Sequence, residues 1–140
     1  MSKLSLTPLE RALASLKRSI DLTQPLLKDN NTSETLKETL RAGLIQHFEF
    51  CYELCWKTLK KKLEMETSDA ELISTMLYQE LIREGAQKGF IDDPEKWFEY
   101  RRLRNMTSHT YKEEIAKNVC QGTIQFYNDA KNLLFKLQER

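Results

Sequence analysis

A chain of 140 residues is one domain by length, 1–140, and is long enough to bury a core without staples. Its 22 basic and 21 acidic residues nearly cancel, so no global field marks it as a nucleic-acid or membrane binder. Four glycines and three prolines leave few places to turn, which favours long helices over many short strands.

The first helix is signalled by Thr7-Pro8-Leu9-Glu10: Thr7 as cap, Pro8 in the first helical position and Glu10 closing a capping box. Leu9, Leu13, Leu16 and Ile20 recur at helical spacing, and Pro25 disturbs the pattern near its end. After a polar loop over residues 28–33, a long helix is expected from Glu34 to Leu63. Its apolar stripe runs through Leu36, Leu40, Leu44, Phe48, Cys51/Tyr52, Cys55, Leu59 and Leu63. Thirty residues span roughly 45 Å, the length of a bundle's spine. Ser68-Asp69-Ala70-Glu71 offers a further capping signal, and a third helix is expected over residues 74–88, with Gly89 as its stop and Phe90 and Ile91 as the accompanying apolar contact. Asp93-Pro94 opens a fourth helix carrying Trp97, Phe98, Tyr100 and Leu103. The last is expected to start at Thr110, with Glu113 completing a capping box and Ile115, Val119, Phe126, Ala130, Leu134 and Leu137 facing the core. The fold class is therefore all-α, a four- to five-helix bundle, mostly antiparallel because its connections are short.

Between the last two helices lies Arg101-Arg102-Leu103-Arg104-Asn105-Met106-Thr107-Ser108-His109-Thr110-Tyr111. On an unbroken helix Arg104 and His109 would point about 140° apart. They converge only if the helix ends between them or if two protomers contribute. Thr107, Ser108 and Thr110 favour caps over helix interiors and support a break, which would place His109 and Tyr111 at a phosphate-attracting helix N-terminus. From Lys96 to Lys112 there are five basic residues and one acid, Glu99. Arg101, Arg102, Ser108 and Lys112 are expected to contact RNA or phosphate. A histidine can move a ribose 2′-hydroxyl proton near neutrality, and an arginine fork suits charge growing on phosphate oxygens, with no metal required. The plainer reading, a loop or capping histidine beside a solvated basic face, stands next to this one.

These residues resemble the R-x4-H-x-Y signature of HEPN domains, in Arg104, Asn105 after it, His109 and Tyr111. The stretches 43–50 and 52–57 are similar to the long-helix motif of the nucleotidyltransferase substrate-binding protein family, and 81–86, 89–91 and Trp97 continue the pattern in order. The resemblance covers roughly residues 8 to 138. It implies a helical homodimer whose motifs meet in a cleft, and a minimal MNT-type nucleotidyltransferase partner encoded nearby. In toxin–antitoxin pairs of this kind the HEPN protein is a metal-independent ribonuclease, silenced when its partner attaches adenylate to the motif tyrosine. Carried onto this sequence, Arg104 stabilises the transition state, His109 is general base or acid, Asn105 helps to position them, and Tyr111 is the modification acceptor. The alternative is a non-catalytic substrate-binding subunit of a two-component nucleotidyltransferase.

The chain is not itself a nucleotidyltransferase: it has no Gly-Ser dipeptide, no expected strand bearing spaced carboxylates for magnesium, and no phosphate-cradling glycine loop. No cofactor is expected. His47, Cys51 and Cys55 share a helix spacing but read as core rather than metal ligands. The basic cluster Lys57, Lys60, Lys61 and Lys62 reads first as a solvated face, and Trp56 and Trp97 as core or dimer anchors. Glu49 and Glu53 are candidates to pair with the motif arginines and orient Arg104. The three cysteines with no secretory pattern imply reduced thiols and a cytoplasmic protein, and no apolar run reaches the roughly 18 residues of a membrane span.

Overall fold

A computed structural model describes residues 4–139. Six α-helices and one 3₁₀ turn make up the fold, with no strand among the described residues. They are α1 (Thr7–Lys28), α2 (Glu34–Glu66), α3 (Ala70–Ser74), α4 (Tyr78–Gln87), α5 (Pro94–Met106), the 3₁₀ turn Thr107–His109, and α6 (Glu113–Glu139). None of these helices is long and apolar enough to cross a membrane.

Several boundaries follow their expected chemistry. The Ser33 hydroxyl accepts the Leu36 N–H and opens α2; the Asp69 and Asp93 carboxylates do the same for α3 and α5. Gly89 ends α4 with φ of 89°, a conformation that a Cβ would strain, and the Phe90 N–H reaches back to the Gly85 carbonyl at 2.8 Å. Phe90 and Ile91 then enter the core.

Other boundaries differ. Leu6, not Thr7, is the N-cap of α1, so no side chain caps that end and Thr7 is already helical. Pro25 lies inside α1, but within its last turn, and the helix continues to Lys28. The expected third helix is two helices: α3 ends at Ser74 where the Ser74 and Thr75 hydroxyls donate to carbonyls three residues back, and α4 starts afresh at Tyr78. Among the described residues the α-helices therefore number six. In α2 the stripe is buried from Leu44 onward, whereas Leu36 is exposed and Leu40 half-buried.

α1 and α6 both pack along α2. α1 returns antiparallel after a five-residue connection. α2 and α6, separated by three helices, run in the same direction, since Arg41 faces Glu113 and Phe48 faces Phe126 further along. Phe126, fully buried, is the hub: its ring meets Phe48 (5.0 Å) and Tyr52 (6.3 Å) of α2, and Trp97 (6.0 Å) and Tyr100 (5.2 Å) of α5. Three of these four contacts are edge-on, the arrangement the ring quadrupoles prefer. Gly122 lets α5 come close, because a Cβ there would lie 2.5 Å from Leu103 Cδ1. Phe126→Ala is expected to destabilise by about 3–5 kcal/mol in urea unfolding, and Leu36→Ala by no more than about 0.5 kcal/mol; equal effects would contradict this placement of the core.

Candidate active site at the α5–α6 junction

The break expected after Arg104 is present, and side-chain hydroxyls make it. The Thr107 hydroxyl donates to the Arg104 carbonyl (2.7 Å), Ser108 to that of Asn105 (3.2 Å) and Thr110 to that of Thr107 (3.1 Å). Each takes up a carbonyl as the helical ladder runs out, and the chain tightens into the 3₁₀ turn. α6 starts at Glu113 and not at the expected Thr110. His109 and Tyr111 thus precede the helix rather than forming its first turn, and the His109 carbonyl accepts the Lys112 N–H at 3.1 Å. The first turn of α6 carries Glu113 and Glu114, which already complement its dipole.

Arg104 is half-buried and faces α2. Its Nη1 donates to the Thr107 Oγ1 (3.2 Å) and lies 3.7 Å from Glu49 Oε2, while Nε lies 3.4 Å from Glu53 Oε1. Nε is shielded from solvent and has no hydrogen bond, so its contact with Glu53 is an ion pair rather than an aligned hydrogen bond. The side chains of Arg104, Glu49 and Glu53 are each 35% exposed. This is the pairing with Glu49 and Glu53 that the sequence raised.

His109 is exposed, its ring 6.2 Å from that of Tyr111 at 64°. Tyr111 is 77% exposed and has the Lys112 ammonium 5.9 Å from its ring. Among the described residues no hydrogen bond or ion pair links Arg104 to His109. Asn105 and Ser108 are exposed beside them. Arg101 and Arg102 are already engaged. Arg101 lies over the Tyr78 ring (4.5 Å), whose hydroxyl donates to the Trp97 carbonyl (3.2 Å). Arg102 Nε bonds Glu99 at 2.9 Å, and that hydrogen bond holds the Glu99 carboxyl below its usual range. The Tyr52 hydroxyl is buried without a hydrogen-bond partner, and burial pushes its phenol up to about 12.

Two participants were not singled out from sequence. Tyr78 supports Arg101, a cross-helix contact with no sequence spacing to reveal it. Arg41 is buried beside Glu113; a charged residue three positions before Leu44 on the buried stripe was the available signal. Among the described residues no cluster of His, Cys, Asp and Glu could hold a metal. Cys51 and Cys55 are buried as expected, whereas His47 is exposed and not part of the core.

An all-helical bundle with an arginine and a histidine on either side of a helix break is the class of protein that fold and site define. Residues 4–139 match the family described as "Nucleotidyltransferase substrate binding protein like", and the chain belongs to that family. A relative from Haemophilus influenzae named "Probable ribonuclease HepT" is 34% identical over 138 residues, covering 99% of this chain and 94% of its own. A solved structure from Haemophilus influenzae, described as revealing the fold of a substrate binding domain of a nucleotidyltransferase, superposes with a TM-score of 0.88 at 33% identity. It covers 96% of this chain and 99% of that one.

Thr107 holds Arg104 at both its carbonyl and its side chain, whereas the two ion pairs are partly solvated. Thr107→Val is therefore expected to cost about 1–2 kcal/mol in urea unfolding, and Glu53→Gln less than about 1 kcal/mol. The reverse ranking would contradict the geometry.

Proposed function

We propose that this chain is a metal-independent endoribonuclease, the toxin of a pair whose other member is an MNT-type nucleotidyltransferase encoded nearby. The observation that carries the reading is the α5–α6 junction: Arg104 is held in place by Thr107, Glu49 and Glu53, and the exposed His109 follows the break. The name of the 34%-identical relative supports it.

In this reading the whole chain is one domain of a cytoplasmic homodimer, in which the junctions of two protomers face one RNA strand. His109 takes the proton from a ribose 2′-hydroxyl, and the freed oxygen attacks the adjacent phosphorus. The 5′-oxygen leaves and gains a proton from the second His109, which leaves a cyclic phosphate. Arg104 faces the charge on the non-bridging oxygens, and Asn105 helps to position the phosphate. Arg101, Arg102, Ser108 and Lys112 line the approach; Arg101 and Arg102 reach RNA by giving up contacts to Tyr78 and Glu99. Tyr111, exposed beside His109, is the acceptor for adenylate from the partner, and a phosphate attached there blocks the approach to His109.

A second reading, a non-catalytic subunit that presents substrate to the nucleotidyltransferase, is favoured by the family description and by that of the solved relative. Both readings include the same partner; they separate on catalysis. Purified protein in EDTA is expected to cleave RNA, and His109→Ala and Arg104→Ala each to lower the rate by about 100-fold or more. Incubation with the partner and ATP is expected to add adenylate masses that Tyr111→Phe abolishes. A wild-type protein that leaves RNA intact and does not slow growth would leave the second reading standing.

A further inference from the structure

A groove of about 600 Å³ opens beside Tyr111, between the first turns of α2 and α6, and Glu34, Glu38, Arg41, Tyr111 and Glu113 are among its walls. Arg41 stands out in it. Its side chain is only 10% exposed, yet it makes no hydrogen bond, and its ion-pair partner Glu113 Oε1 is 3.8 Å away, beyond hydrogen-bond reach. Glu113 itself is drawn to Lys117 at 3.1 Å, which holds its carboxyl below the usual range. A second groove of about 690 Å³ shares Glu34, Arg41 and Glu113 with the first and has Lys28, Lys37 and Lys117 in its walls. The unpaired N–H groups of Arg41 are not among the buried, unpartnered polar atoms, so they meet the solvent of the groove and are free to take an anion there.

We infer that this groove binds a nucleoside monophosphate unit, with the phosphate on Arg41 and the base against the ring of Tyr111. The planar fork of Arg41 matches two phosphate oxygens. The Tyr111 ring, on the same groove and 77% exposed, offers a base a stacking face. Glu34 and Glu38 can accept from exocyclic base amines, and they oppose a second or third phosphate by like-charge repulsion. The cavity volume suits a ligand of that size. The inference rests on the proposed function only for the source of the nucleotide, which is either an RNA strand running past His109 or an adenylate attached to Tyr111.

The test is titration of the intact protein with AMP, followed by calorimetry and amide NMR, with ATP alongside. Wild-type protein is expected to bind AMP more tightly than ATP. Arg41→Gln is expected to weaken AMP binding by about tenfold or more, Arg41→Lys by less, and Glu113→Gln to strengthen it. Thermal unfolding checks that Arg41→Gln is folded; should it not be, Tyr111→Ala, a surface change, is expected to weaken AMP binding several-fold. Absence of AMP binding by the wild type, or equal binding by folded Arg41→Gln, overturns the site. An uncleavable 2′-O-methyl oligoribonucleotide that competes with AMP marks RNA as the source, and one that does not compete marks the Tyr111 adenylate; either supports the site. AMP binding is read without any RNA cleavage, so the site and the cleavage reading can fail independently.

Discussion

The packing of Phe48, Tyr52, Trp97 and Tyr100 around Phe126 ties α5 and α6 to α2. Its consequence is positional. α5 and α6 are consecutive helices whose connection carries the polar residues of interest, and in that connection Thr107 is buried while Ser108, His109, Tyr111 and Lys112 are exposed. With Phe126 fixing α6 against α2, and Trp97 and Tyr100 fixing α5 against Phe126, the end of α5 is brought to the middle of α2. There Glu49 and Glu53 meet Arg104. The Tyr100 hydroxyl reinforces the arrangement by donating to the Asp129 carboxylate of α6, and burial, with that contact, raises the phenol above its usual range.

The junction combines a rigid arginine with an exposed histidine. Arg104 is anchored through Thr107 and two carboxylates, so its fork loses little further freedom on meeting a phosphate. The same carboxylates lower the local positive potential, and a phosphodiester has to compete with them. The basic residues around the junction are also partnered: Arg102 with Glu99, Arg101 with the Tyr78 ring. Under the proposed function, RNA at this face would exchange internal contacts for external ones, and its affinity would fall with salt in proportion to the phosphates contacted.

The spine helix, the Gly89 stop and the Asp93-Pro94 start were legible in the sequence because each rests on local chemistry within four residues. The split between α3 and α4 was not: Ser74 and Thr75 look like ordinary helical positions until their hydroxyls are seen to take carbonyls. At the junction the break was readable from Thr107, Ser108 and Thr110. The start of α6 was placed three residues early, because Thr110 with Glu113 imitates a capping box while the Thr110 hydroxyl instead donates backwards to Thr107. The pairing of Arg104 with Glu49 and Glu53 could be raised but not established, since contacts between α2 and α5 span about fifty positions of sequence. Arg41 was missed because a basic residue next to an apolar stripe is usually a solvated edge.

The central claim is that Arg104 and His109 address one phosphate. Its most direct test is NMR of the His109 imidazole during titration with an oligoribonucleotide made uncleavable by a 2′-O-methyl group at each position. The account predicts that the His109 ring signals move on binding, whereas those of His47 do not, and that Arg104→Ala suppresses the movement. Binding that shifts other resonances and leaves His109 unmoved would contradict it.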